Sequence, residues 1–266
     1  MFVHYRTQGL IIKKEDRGDD DQFFTIYSKN FGKLEIVGRA IRKIKSKLRS
    51  GADIFYLSDI EFIQGKKFKT LTDAILIEKF ENLRKDLIRL RIAYKISETF
   101  NNLVRGQERD KNLWNLLVEV FGKLDSFKLE VKDLKSGIIY YYFFWNLVST
   151  LGYRPELNFC PLCRKKLKPE NLFFNPKEGG AICGQCFTKL RTVPRSTRQN
   201  LDSSLRLELD KGRKIDAGII KIIRILLKKD WQILKRLKIS QQDLKELKTI
   251  SDYFFEEVKN DVIGEF

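Results

Sequence analysis

All four cysteines of this 266-residue chain fall into two pairs of equal spacing, Cys160-Pro161-Leu162-Cys163 and Cys183-Gly184-Gln185-Cys186, with nineteen residues between the pairs. A turn of this kind aims two thiolates at one ion, and a second turn completes the tetrahedron that Zn²⁺ takes with sulfur. The spacing lies in the usual range of four-cysteine zinc sites. Two disulfides need an oxidising compartment, and the opening Met1-Phe2-Val3-His4-Tyr5-Arg6 has no signal-peptide pattern. A thioredoxin-like site has one such pair within a βαβ unit, which is absent. The expectation is one structural Zn²⁺ on Cys160, Cys163, Cys183 and Cys186. Four protein ligands close the coordination sphere, so such an ion holds the fold and does not activate water.

Other chemistries are narrowed by what the sequence lacks. A single histidine, His4, removes multi-histidine metal centres, and no glycine-rich phosphate loop of the Walker or dinucleotide type is present. The longest apolar stretch, Ile138 to Val148 interrupted by Asn146, is too short to span a bilayer. A cytoplasmic chain without membrane association is expected. The net charge of +17 is unevenly spread: +5 over residues 1–80, +3 over 81–159, +13 over 160–240 and −4 over 241–266. An excess of this size speaks about partners. Nucleic acid comes first, because each neutralised phosphate releases counterions.

The densest basic run, Gly38-Arg39-Ala40-Ile41-Arg42-Lys43-Ile44-Lys45-Ser46-Lys47-Leu48-Arg49-Ser50-Gly51, contains no acid and lies between strand-like stretches. Arg39, Arg42, Lys43, Lys45, Lys47 and Arg49 on a flexible loop are the candidate phosphate contacts. Barrel-face aromatics such as Phe24 or Tyr27 are candidates for base stacking. Five short strands are expected at 3–14 (with Gly9 as a bulge), 23–27, 33–37, 54–63 and 68–77. An OB-type or SH3-like barrel fits that count. The acidic turn Asp19-Asp20-Asp21 reads as solvated.

From Asn82 the apolar period becomes helical. Asn82 is expected to cap a helix burying Leu83, Leu87, Leu90 and Tyr94, with Ile96 and Phe100 extending that side. Asp110 caps a second helix, and a third runs from about Val131 to Leu151. The stretch Ile138 to Trp145 within it is apolar nearly all round, as in a buried central helix. Helices follow from Ile215 and after a capping box at Ser240-Gln241-Gln242-Asp243. The fold class is α+β: an N-terminal OB-fold β-barrel (1–80), a helical bundle in two parts (81–158 and 193–266), and a four-cysteine zinc-ribbon-like module (159–192).

This order of parts resembles the RecO family of bacterial recombination mediators. Tyr5-Arg6-Thr7-Gln8-Gly9-Leu10-Ile11 is similar to the family's first strand. The glycine-basic-basic loop from Gly38 is similar too, with Ile41 where a small or basic residue is common. Leu151-Gly152-Tyr153-Arg154-Pro155-Glu156-Leu157 resembles the entry to the family's zinc site, and Gly179-Gly180 its second half. Gly32-Lys33-Leu34 looks like the second turn, which adds Lys33 to the candidate DNA contacts. The resemblance implies binding of single- and double-stranded DNA, annealing of complementary strands, and cooperation with RecR. It also implies help to RecA in displacing single-stranded DNA-binding protein, whose acidic C-terminal tail the helical domain engages. The sequence offers Arg84, Lys85, Arg89, Arg91 and Lys95 on those helices. No catalysis is expected. The rivals are a carboxylate-metal nuclease using Asp19, Asp20 and Asp21, and a zinc-containing RNA-binding or RNA-processing protein.

Overall fold

The computed structural model describes residues 3–126, 135–191 and 212–264. They fall into two compact units, Met1–Phe143 and Phe144–Phe266. The expected beginning of the third helix, at 131–134, lies outside the described residues.

In the first unit β1 (His4–Arg17), β2 (Asp21–Ser28), β3 (Gly32–Gly38), β4 (Leu57–Gln64) and β5 (Lys69–Glu78) close into a barrel in the order β1-β2-β3-β5-β4. Neighbours are antiparallel except β3 and β5. This is an OB-type Greek-key barrel, the first of the two expected alternatives. Because side chains alternate along a strand, Phe24 and Ile26, Leu34 and Ile36, Ile60 and Phe62 turn into one core. Gly9 is no bulge. It pairs in register with both Ser28 and Ser58, and the ladder slips instead between Ile11 and Lys13. Its glycine is required by packing, since a Cβ there would lie 2.6 Å from Ile26 Cγ2.

The first expected helix is two: α1 (Glu81–Lys85) and α2 (Leu87–Leu103). Asn82 lies inside α1, and the cap is Asp86, whose carboxylate accepts from the N–H groups of Ile88 (2.8 Å) and Arg89 (3.3 Å). The break resets the helical phase. The buried side of α2 is therefore Ile92, Ala93, Ile96, Phe100 and Leu103, while Leu87 and Tyr94 are exposed. Asp110 caps α3 (Lys111–Ser126) as expected, accepting from Asn112 and Leu113. In α4 (Lys135–Thr150) every residue from Ile138 to Val148 is buried, so the aromatic run is core.

In the second unit β6 (Leu172–Asn175), β7 (Gly180–Cys183) and β8 (Arg213–Ile215) form a sheet in the order β7-β6-β8, with α5 (Gly184–Arg191) following β7. Then come α6 (Ala217–Leu227), α7 (Trp231–Arg236) and α8 (Gln241–Gly264). Trp145 stacks on Phe254 with ring centroids 5.2 Å apart, and Phe174 packs edge-on against both. The capping box is real. Asp243 Oδ2 accepts from Ser240 N–H and Ser240 Oγ from Asp243 N–H, each at 3.0 Å. Among the described residues no helix is long and apolar enough to cross a membrane.

Candidate nucleic-acid interface and metal centre

The basic run leaves β3 at Gly38 and is fastened to the barrel at both ends. Ile41 is buried in the barrel core, Leu48 packs against it, and Ala52 is buried where the run ends. Gly51 lies so close to β5 that a Cβ would meet the Ala74 carbonyl at 1.9 Å. Ala40, with φ +50°, donates its N–H to Asp21 Oδ1 at 2.8 Å, and Arg42 N–H donates to the Asp20 carbonyl at 3.0 Å. Lys47–Ser50 form one 3₁₀ turn. The expected flexible loop is thus a shaped one, docked on the acidic β1–β2 turn.

Arg39, Arg42, Lys43, Lys45, Lys47 and Arg49 are all exposed on it. Two are partly neutralised, Arg42 by Asp16 at 3.6 Å and Lys43 by Asp20 at 3.2 Å. Among the described residues the other four make no ion pair. Lys33 differs from all of them. Its ammonium donates to the carbonyls of Asn101 (2.9 Å) and Val104 (3.1 Å) at the end of α2, and burial lowers its pKa. Lysine there ties β3 to a helix C-terminus, where the dipole favours a cation.

The aromatics singled out for stacking are not on a free surface. Phe24 is in the barrel core. Tyr27 is covered by Phe100, with centroids 4.7 Å apart, and burial together with Asp110 pushes its pKa up to about 12. Most of the helical cations are also engaged. Arg84 binds Asp53 and the Ile54 carbonyl, Arg89 the carbonyls of Leu124 and Asp125, Lys85 pairs with Glu81, and Lys95 sits 3.8 Å over the Tyr140 ring. Arg91 is exposed.

The acidic turn is structural as well. Asp21 holds Ala40 and Asp20 pairs with Lys43, so these carboxylates are not gathered for a cation. Among the described residues the one His/Cys/Asp/Glu cluster able to hold a metal is Cys160, Cys163, Cys183 and Cys186, whose sulfurs lie within 4.8 Å of one another. The first pair sits at the tip of a small hairpin, closed by Arg164 N–H to the Cys160 carbonyl (2.8 Å) and Cys160 N–H to the Lys165 carbonyl (2.9 Å). The second pair joins the end of β7 to the first turn of α5. Cys163 and Cys183 Sγ are 3.9 Å apart, far beyond a disulfide bond, and all four thiols are free. Burial opposes ionisation of Cys160, yet N–H groups of Cys163, Cys183 and Leu162 outweigh it and draw the thiol down to about 7. Cys186 is pushed up to about 12 by burial and by its thiol neighbours. Phe173 and Phe187, stacked with centroids 3.7 Å apart, wall the cluster with Ile182 and Leu190. Of the basic residues that follow the second pair, Arg195 and Arg198 lie outside the described residues.

An OB barrel carrying an anchored cationic loop, with helices and a four-cysteine cluster able to hold a metal ion, places the chain in the OB class of proteins with an added cysteine module. Known protein families sharpen this. The model described as "Recombination protein O N terminal" matches residues 1–80, and "Recombination protein O C terminal" matches residues 84–202. A DNA repair protein RecO of Desulfitobacterium hafniense is 28% identical over 253 residues, covering 95% of this chain and 84% of the relative. One from Moorella thermoacetica is 27% identical over 253 residues, covering 95% and 85%. One from Dehalococcoides mccartyi is 25% identical over 243 residues, covering 91% and 86%. The chain belongs to the recombination protein O family of DNA repair proteins.

Proposed function

We propose that the protein is a non-catalytic mediator of recombinational repair, working in the cytoplasm at the nucleoid. It binds single- and double-stranded DNA through Arg39, Arg42, Lys43, Lys45, Lys47 and Arg49, and speeds the pairing of complementary strands. The observation that carries the reading is the anchored loop itself. It presents six cations from one side of an OB barrel, four of them without an acidic partner among the described residues. Such contacts ignore base sequence, as annealing requires, and bound cations reduce the repulsion between two approaching strands. Lys33 is left out, because its ammonium is taken up by two carbonyls.

Family membership supports action with RecR, engagement of the acidic tail of single-stranded DNA-binding protein, and loading of RecA. Arg91, exposed on α2, is one helical cation open to such a tail. The metal is proposed to be one Zn²⁺. Bonds of about 2.3 Å in a tetrahedron separate the sulfurs by about 3.8 Å, close to the Cys163–Cys183 spacing.

The test is to replace Arg39, Lys45, Lys47 and Arg49 together by Ser and measure single-strand affinity across a salt series. Each phosphate that is no longer neutralised flattens the slope of log K on log salt by about 0.7. Annealing of labelled complementary strands should slow in parallel. An unchanged slope removes the loop from the reading, and Mg²⁺-dependent cutting by the pure protein removes the mediator.

A further inference from the structure

On the outer face of β2, Phe23 and Tyr27 have the same parity and opposite fates. Tyr27 is closed off by Phe100. Phe23, opposite Val37 at the other end of the strand pair, meets Phe68 of the β4–β5 turn edge-to-face, with centroids 5.3 Å apart. Arg17, at the end of β1, lays its guanidinium 4.6 Å from the Phe68 centroid and 5.6 Å from that of Phe23. Phe68 nevertheless remains 40% exposed, and Lys66 and Lys67 beside it are exposed. Phe68 forms part of the wall of a cleft of about 580 Å³, whose lining includes the cations Lys33, Lys67, Lys69 and Arg105 and one acid, Glu35. That volume is within the range of sites that take a small ligand.

A phenyl ring fixed at a turn by a second ring and a guanidinium, and left partly open beside exposed lysines, is a stacking surface already in place. Nucleobases fit. Each has a π-face that stacks on an aromatic ring or guanidinium, while lysines hold the phosphates to either side. The loops joining β1–β2 and β4–β5 also flank the face by which OB barrels bind oligonucleotides.

We infer that Phe68, braced by Phe23 and Arg17, is a base-stacking subsite for unpaired bases of single-stranded DNA, with Lys66, Lys67 and Arg105 as its phosphate contacts. The inference rests on the DNA-binding reading and adds to it a set of residues distinct from the β3–β4 loop. The subsite favours single strands, because bases within a duplex offer no free face.

The test compares the full chain with Phe68→Leu and Phe68→Trp. Two probes are used, an oligothymidylate and an abasic strand of equal length and equal charge. Loss of one base stack weakens binding about fivefold or more. Phe68→Leu should lose that factor on the oligothymidylate and nothing on the abasic strand, and Phe68→Trp should keep wild-type affinity. The side chain is exposed and outside the core, so the variants should unfold with the wild type. Equal affinity of Phe68→Leu and wild type for the oligothymidylate overturns the inference while leaving the loop's role standing. So does an equal loss on both probes. Failure of the wild type to bind either strand overturns the DNA-binding reading itself, and the inference with it.

Discussion

Asp53 shows how closely single residues are specified where the barrel meets α1. Its half-buried carboxylate is held by Lys14 and by Arg84 Nη2 (2.6 Å), and it accepts from the Ile54 N–H at 2.8 Å. Arg84 lies over the Tyr56 ring at 4.7 Å. Burial alone raises the pKa of Asp53, but the Lys14 hydrogen bond, the Ile54 N–H and the two cations outweigh it and lower it below the ordinary 3.8. A carboxylate depressed in the folded state adds stability that is fully present above its unfolded value and is lost as pH falls through the folded one. Asp53→Asn leaves two cations facing a neutral amide, at a cost of about 1–3 kcal/mol. Urea unfolding should therefore show the full gap from wild type at neutral pH, narrowing only below about 3.8. A gap that persists at lower pH, or is absent at pH 7, contradicts this account of the cluster.

At the scale of elements, the acidic β1–β2 turn and the basic β3–β4 loop act together. Asp20 and Asp21 supply a carbonyl and a carboxylate that shape the loop, and Asp20 also covers Lys43. Asp20→Asn keeps the backbone carbonyl and frees the Lys43 ammonium. Single-strand affinity should rise about two- to fivefold, in keeping with the small worth of an exposed ion pair, and the salt slope should steepen. An affinity that falls would mean that the ion pair holds the loop in its binding shape.

The elements legible in the sequence are those whose signal is local. Cysteine spacing places the thiols, strand-like runs place the barrel, and Asp110 and Ser240 mark caps. What escapes depends on phase or on distant chain. One cap, Asp86, shifts the buried side of α2, and a change of phase by one residue separates the core ring of Phe24 from the outward ring of Phe23. The partners of Phe23, Arg17 and Phe68, come from other loops, which no local pattern joins. Lys33 looks like a free cation in the sequence for the same reason, because the carbonyls that claim it lie about seventy residues away.

Across the whole molecule the two chemistries occupy different units. The cations proposed to bind phosphate are in Met1–Phe143, and the four thiols are in Phe144–Phe266. A closed four-sulfur site contributes its binding energy to folding, about 10–16 kcal/mol in small zinc peptides at neutral pH. The apolar side chains around the cluster, Leu167, Phe173, Ile182, Phe187 and Leu190, come from the same hairpin, strands and helix that the four cysteines pin together. Stripping the metal with a chelator should therefore loosen the hairpin and the β6–β7 sheet, lowering the thermal midpoint and the near-ultraviolet signal of the packed aromatic rings. Reloading with Zn²⁺, one ion per chain, should restore both. Single-strand affinity measured in the cold should stay close to that of the loaded protein, since the loop is held by Ile41, Leu48, Gly51 and the β1–β2 turn, none of which belongs to the thiolate module. If affinity instead falls in step with metal loss while the aromatic signal is unchanged, the thiolate module is itself part of the DNA path.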